Sequence, residues 1–544
     1  MNKIIKNNER IIIKNYKLLS YILIAIGVLL RILCLNKFPV GLNCDEASSA
    51  YDAFSILKTL CDRNGKFLPV YMVAWGSGQS ALLAYMMIPF IKLFGLNIFA
   101  IRLPQAIISI ITLFVFYKLV NLTVNNDKEK LFAILFFVFN PWHIMKSRWG
   151  LDCNLLPDFV LFAVYFLVKF YYEDKKYKTQ NIIMAFVFLS ISAYSYATSF
   201  LGLSIFCILL YIYGLRTKTL TYKQIVISII VVLMITWPLI LFILVNTFEM
   251  PDIALSFMTI PKLRINRMAT ESIFTSKHIM TSLFSSMANT IKLLVIQFDK
   301  LYWNGIKRIG MYYIYSFPIF LYGLVNYIND IIRKKRLSGN VDDIFAIWFI
   351  AGFVLCICLK NIYINKINFI IIPTIYFIIK GFYRLFKIKY IYFLSVALVV
   401  ISFILFSFKY IDANIKKANN ILISDINTTE YDCFVVDIEP ALTYLDALEV
   451  NEIRLGGACA EPYIYVLFYL KEDPKEFRKN RKNMLSSKTQ ISTYKKWNFE
   501  PILELQKDND VAYLLDSRNI NLIDERDFKV TNFGKFIVVE TKSN

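Results

Sequence analysis

Gly41-Leu42-Asn43-Cys44-Asp45-Glu46-Ala47-Ser48-Ser49-Ala50-Tyr51-Asp52 is the stretch on which the reading of this chain turns. Two adjacent carboxylates follow an apolar run, Tyr16 to Leu35, and precede a polar, aromatic segment that ends in Trp75-Gly76-Ser77-Gly78-Gln79. If the apolar run spans a bilayer, the acids emerge at the lipid–water boundary, where an unneeded charge is a liability and a base is most useful. The same pair suits the first turn of a helix, where carboxylates meet the positive end of the helix dipole. Asp52, a further turn along, reads as a solvated helix residue.

Composition bounds the class of protein. The chain has 544 residues, 57% of them hydrophobic and 16% aromatic, with a mean hydropathy of +0.51. That is too apolar for soluble domains and indicates a polytopic membrane protein. The formal charge of +21 comes from short Lys/Arg clusters between apolar runs, not from one basic face interleaved with aromatics, which argues against a nucleic-acid partner. Lys3, Lys6, Arg10, Lys14 and Lys17 precede an apolar run that is too long, and lacks the small-residue site, for a cleaved signal, so an uncleaved first span is expected. Nine cysteines show no paired CxxC spacing, so neither zinc nor a dense disulfide framework is indicated. Cys433 with Cys459 is the pair to test for a bridge.

Ten further apolar runs follow Tyr16–Leu35: 101–120, 131–145, 155–171, 182–196, 200–213, 225–245, 314–328, 344–359, 367–379 and 390–408. About eleven spans are therefore expected. Ala81 to Phe94, about fourteen residues, is short for the hydrocarbon thickness and decides the topology. If it lies on the outer face, the basic loops at Lys128/Lys130, Lys175/Lys176/Lys178, Arg216/Lys218/Lys223, Arg333-Lys334-Lys335-Arg336 and Arg384/Lys387/Lys389 all share the cytoplasmic side with the N-terminus, as the positive-inside rule requires. Residues 36–100 and 246–310 are then outer loops, as is everything beyond the last span. The expected organisation is a transmembrane body over 1–410 and an extracytoplasmic α/β domain over 411–544. That domain has strand-like runs at Tyr431–Val436, Glu452–Leu455, Tyr463–Leu470, Ala512–Leu515 and Lys535–Val539, with a helix-like stretch at Asp473–Leu485.

On the outer face this topology collects Asp45, Glu46, Arg102, His143, Arg148, Asp152 and Lys366. Asp152, in Lys146-Ser147-Arg148-Trp149-Gly150-Leu151-Asp152, could steady a cationic transition state or pair with Arg148. His143, in Asn140-Pro141-Trp142-His143, reads as a hydrogen-bonded boundary residue rather than a metal ligand. Arg102 is a snorkelling arginine or a phosphate ligand. Lys366, a cation amid Asn361, Asn365 and Asn368 on the side the positive-inside rule depletes, fits phosphate recognition better than topology.

The outer-loop Asp45-Glu46, the stretch Pro69-Val70-Tyr71-Met72-Val73-Ala74-Trp75 and Phe94-Gly95-Leu96-Asn97-Ile98-Phe99-Ala100-Ile101-Arg102-Leu103-Pro104 together resemble the membrane-embedded glycosyltransferases of the GT-C fold. More narrowly the chain resembles glycosyltransferase family 39, the bacterial relatives of protein O-mannosyltransferases and aminoarabinose transferases. The resemblance is best over 41–104, fair through Asp152, and suggestive at Asn365-Lys366-Ile367-Asn368. It implies transfer of a sugar from a polyprenyl-phosphate donor to a hydroxyl of a protein, lipid or glycan acceptor outside the cytoplasm of a bacterial plasma membrane, with inversion at the anomeric carbon.

Carried over position by position, Asp45 matches the catalytic carboxylate, Glu46 completes the acidic pair, and Asp152 matches a second active-site acid. Arg102, in the arginine-leucine-proline pattern, and Lys366 and Arg148 stand as donor-phosphate ligands. Relatives are expected to carry arginine where Lys366 stands, and a proline-proline-leucine pattern after the acids is absent here, so phosphate geometry and acceptor are expected to differ. No metal ligands are assigned; carboxylates bind divalent ions, but no spacing demands one. The rival readings are a lipid-linked sugar flippase or transporter, against which stands the clustering of charge on one face without an inverted repeat, and a polysaccharide polymerase or ligase.

Overall fold

The computed structural model describes residues 2–172, 177–266, 270–334, 340–388, 390–419, 421, 433–483 and 491–542. Lys175, Lys176, Lys335, Arg336 and Lys389 of the basic loops, the start of the strand expected at Tyr431 and the end of the helix expected at Leu485 lie outside these residues. The chain divides into two compact units. One comprises 1–33, 105–240 and 266–410, the other 34–104, 241–265 and 411–544.

The first unit is helical. Eight helices among the described residues of the whole chain are long and apolar enough to cross a membrane. Seven of the expected runs fall on them; the eighth is Ile279–Ile296, which the sequence reading left inside an outer loop. The remaining four runs are helical but shorter or more charged. That at 131–145 is two pieces, Asp127–Val138 and Pro141–Lys146, because Asn140 caps a new helix whose first position is Pro141. Val341–Ile357 starts at a reciprocal capping box in which Asn340 and Asp343 each bond the other's backbone N–H. Ser316–Lys334 and Asn368–Leu385 touch backbone to backbone: a Cβ on Gly323 would stand 2.1 Å from the Phe377 carbonyl oxygen, and one on Gly381 2.2 Å from that of Ile319. Glycine is what permits this approach, as at many helix contacts in membranes. Other helices keep apolar faces outward, among them Val226, Ile230, Leu233 and Met234 on Tyr222–Thr247, as lipid contact requires.

The second unit gathers the acidic-pair segment, a short hairpin (Ile253–Ala254 with Thr259–Ile260) and the C-terminal residues. Its seven-stranded mixed sheet runs in the order Phe528–Phe533, Phe536–Thr541, Val511–Asp516, Glu452–Gly456, Trp497–Pro501, Ile491–Tyr494, Lys482–Asn483. Val511, Tyr513, Ile523, Phe528, Ile537 and Val539 form a buried cluster on it. The strands expected near 452, 512 and 535 are present. The one expected at Tyr463–Leu470 is instead a helix, Pro462–Tyr469. Tyr463 to Phe468 are all buried, so the run has no polar alternation to betray its period, and Pro462 occupies the first helical turn. Leu42–Asn43, just before the acidic pair, pairs antiparallel with Phe434–Val435. Cys433 and Cys459, the pair to test for a bridge, are both half-buried.

Ala81–Phe94 is a single helix with the bounds the sequence suggested, and Ala81, Leu83, Ala84, Met87 and Ile91 are its buried residues.

Candidate functional site

Asp45 and Glu46 open the helix Cys44–Thr59. Asn43 is its N-cap: its side chain accepts from Asp45 N at 2.8 Å, while Glu46 Oε2 accepts from Asn43 N at 3.3 Å. The helix-start reading of the acids therefore holds. It does not exhaust them, because the two carboxylates meet different surroundings.

Glu46 is fully buried against Arg102, also fully buried. Arg102 Nε donates to Oε1 and Nη2 to Oε2, each at 2.9 Å, a two-pronged ion pair. Its other N–H groups go to backbone carbonyls: Nη1 to Leu35 at 3.2 Å and Pro39 at 2.8 Å, Nη2 to Gly41 at 2.7 Å. All five guanidinium donors are thereby engaged inside the protein. Arg102, expected at a donor phosphate, thus has no N–H left for one in this arrangement and instead ties the segment 35–41 to the acid helix.

Asp45 is only half-buried. Trp75 Nε1 donates to its Oδ1 at 2.7 Å, and Gln79 Nε2 to its backbone carbonyl at 3.3 Å. Trp75 has φ +52°, a left-handed conformation uncommon for a large side chain, within the turn between Tyr71–Met72 and Gln79–Ser80. The ring is held by the Arg63 guanidinium 5.4 Å above it and by Tyr463 edge-on at 6.1 Å. Gln79 Oε1 in turn accepts from Ser48 Oγ at 2.7 Å. From the sequence, Trp75 stands out only within the aromatic stretch 69–75 and Gln79 only as the end of that polar segment, with no sign that either meets Asp45.

Asp52, expected in solvent, is fully buried and pairs with Arg63, Oδ2 to Nη1 at 3.1 Å. Burial pushes its carboxyl up, opposed by Arg63. Neighbouring Asp62, also fully buried, is pushed up to about 7 by burial and by the Asp52 charge; its Oδ1 accepts from Asn64 N and Lys66 N, both at 2.8 Å, while its Oδ2 has no hydrogen-bond partner. C-terminal side chains close over this loop: Arg478 Nη1 donates to Ser55 Oγ and to the Asp62 carbonyl, each at 3.1 Å, and Arg481 Nη1 to the Arg63 carbonyl at 3.1 Å.

Arg148, Asp152 and Lys366 belong to the helical unit. Arg148 Nη1 and Nη2 donate to the carbonyls of Leu30 at 2.6 Å and Leu33 at 2.7 Å. Asp152 starts a short 3-10 turn, and its Oδ1 accepts from Cys153 N at 2.7 Å. Lys366 Nζ pairs with Glu271 Oε2 at 2.5 Å and stands 5.4 Å from the Tyr363 ring. His143 is wholly buried; its Nδ1 lies 2.7 Å from Arg31 Nη2 and its Nε2 3.5 Å from Asp158 Oδ1, while the other oxygen of that carboxylate, Oδ2, holds Lys146 Nζ at 2.5 Å. It is a hydrogen-bonded residue, as expected, but inside the unit and not at its boundary. Arg31, Lys146 and Asp158 sit inside or beside apolar runs, where the sequence offers no sign that they meet.

No protein-family profile and no curated protein matches the sequence. Among solved structures, ArnT of Cupriavidus metallidurans bound to undecaprenyl phosphate superposes with a TM-score of 0.56 at 13% identity, over 95% of this chain and 97% of that one. Its apo form gives a TM-score of 0.54 at 12% identity over the same shares. The chain has the GT-C fold over almost its whole length.

Proposed function

We propose that the protein transfers a sugar from a polyprenyl-phosphate-linked donor to an acceptor hydroxyl on the extracytoplasmic side of a membrane, with Asp45 as the general base. The observation that carries this reading is the unequal treatment of two adjacent acids. Glu46 is locked on Arg102, whereas Asp45 is half-buried and oriented by the Trp75 indole. A general base needs access to its proton and a fixed direction, and of the two only Asp45 has both. The ArnT likeness supports the donor class, since that protein is seen with undecaprenyl phosphate.

In the proposed reaction Asp45 takes the proton of the acceptor hydroxyl as its oxygen bonds to the anomeric carbon. The bond from that carbon to the phosphate oxygen breaks, and the electron pair leaves with the polyprenyl phosphate. Lys366 and Arg148 are assigned to the phosphate charge, Lys366 by exchanging Glu271 for it, and Asp152 to the oxocarbenium-like sugar by analogy with glycoside hydrolysis. Arg102 and Glu46 are positioning residues: they fix the turn from which Asp45 projects.

The test is transfer of labelled sugar from polyprenyl-phosphate donors in membranes carrying wild type or Asp45→Asn at matched expression. Loss of roughly 100-fold or more in transfer with donor binding retained supports the assignment. Undiminished transfer by the variant removes Asp45 as base, and donor translocation without transfer by wild type would turn the reading towards a flippase.

A further inference from the structure

A cavity of about 310 Å³ in the helical unit plays no part in the proposed transfer. Asn289, Lys292, Lys300, Lys360, Asn361 and Tyr363 line it, together with Asp299. The lysines come from three segments: the last turns of Ile279–Ile296, the loop after it, and the loop after Val341–Ile357. A cation near a helix C-terminus complements the helix dipole, which accounts for Lys292 but for neither of the others. Lys292 and Lys300 have no hydrogen bond or ion pair among the described residues, and Lys360 Nζ donates to Thr275 Oγ1 at 2.8 Å. The one carboxylate in the lining is already used. Asp299 Oδ1 accepts from Leu301 N at 3.0 Å, and Oδ2 from Asn304 Nδ2 at 2.8 Å and Ile364 N at 2.9 Å. Three positive charges and one carboxylate therefore converge on one cavity, which leaves it net positive.

The surroundings indicate where the missing negative charge comes from. Ile279–Ile296 is long and apolar enough to cross a membrane, and Met280, Phe284, Ile291 and Val295 are exposed on it. A hydrocarbon chain can lie along such a face while its head group meets the lysines at the helix end. Asn289, Asn361 and Tyr363 add neutral donors for phosphate or glycerol oxygens. We propose that this cavity binds the phosphate head group of an anionic phospholipid of the surrounding bilayer. It thereby holds Ile279–Ile296 and the Lys360–Tyr363 loop to the membrane surface. Basic pockets beside membrane helices recognise acidic lipids by this combination of clustered charge and adjoining apolar surface. The inference does not depend on the transfer reaction, because none of the residues assigned to it lines the cavity.

The test uses the full-length protein in phosphatidylcholine bilayers containing spin-labelled phosphatidylglycerol, reading its enrichment at the protein over labelled phosphatidylcholine. Wild type is expected to enrich the anionic lipid, with the preference falling roughly fivefold for each lysine removed in the series to K292Q/K300Q/K360Q. The K292R/K300R/K360R protein is expected to keep it. Thermal midpoints confirm folding, and Lys300→Gln, an exposed single change, serves if the triple variant does not fold. Equal enrichment in wild type and glutamine variants overturns the proposal. So does displacement of the bound lipid by a polyprenyl phosphate that phosphatidylglycerol cannot reverse, which would make the cavity a carrier site.

Discussion

The surroundings of Arg102 and the lysine cavity at the end of Ile279–Ile296 use positive charge in opposite ways. Arg102 has every N–H taken by Glu46 and by three carbonyls of one turn, and it is sealed from solvent. Lys292 and Lys300 are exposed and without partners among the described residues, and Asp299 in the same lining is engaged by Leu301, Asn304 and Ile364. A closed cation is architecture, since removing it strands a buried carboxylate. An open cluster is a binding surface, since removing it costs the fold little. Residue type alone does not separate the two; the count of committed donors does.

The largest effect that sharpens this contrast is expected at the closed pair. Arg102→Ala leaves the buried Glu46 carboxylate without its guanidinium, so it is expected to destabilise the protein by about 3–5 kcal/mol, read as a lowered thermal midpoint in detergent together with loss of transfer. A variant of unchanged stability would make Arg102 an available ligand after all and break the comparison.

A smaller effect is expected at the residue that aims the proposed base. Trp75→Phe keeps a ring against Arg63 and Tyr463 but deletes the N–H donated to Asp45. A hydrogen bond to a charged group is worth about 1.5–3 kcal/mol, so transfer is expected to fall roughly 10- to 100-fold with the thermal midpoint little changed. Loss of fold without a specific loss of transfer would reduce Trp75 to packing.

The smallest effect concerns Asp62, whose carboxyl burial and the Asp52 charge push up from 3.8 to about 7. Between those values the native protein holds a proton that the unfolded chain has released, so stability falls as pH rises through the window. Wild type is expected to melt a few degrees higher, roughly, at pH 5 than at pH 8 on this account. Asp62→Asn is expected to flatten that difference, with hydrogen exchange at 61–66 as the local readout; an undiminished slope would remove Asp62 as its source.

What was legible in the sequence was local. Continuous apolar runs located most of the helices, and the acidic pair read as a first helical turn, which is where the structure has it. Ile279–Ile296 escaped because Ser282, Ser285, Ser286, Asn289, Thr290 and Lys292 interrupt its hydropathy, although Ser286 and Thr290 are buried on one face and apolar residues are exposed on the other. Arg102 and Glu46 were each singled out, but their partnership across 56 residues was not, and the two acids looked alike until it was known. Asp52 read as a surface acid because Arg63 lies in a loop of no fixed period and its cover, Arg478 and Arg481, arrives more than 400 residues later. Pairings of that kind have no periodic signature, and only the folded chain reveals them.

In the proposed reaction adjacent Asp45 and Glu46 divide into a base and a brace. The most direct measurement is labelled-sugar transfer, donor binding and thermal midpoint taken together on Asp45→Asn and Glu46→Gln at matched expression. Asp45→Asn is expected to fold and bind donor like wild type while losing transfer, and Glu46→Gln to lose stability first, with transfer falling in proportion to folded protein. A stable Glu46→Gln protein without transfer, beside an active Asp45→Asn protein, would contradict it.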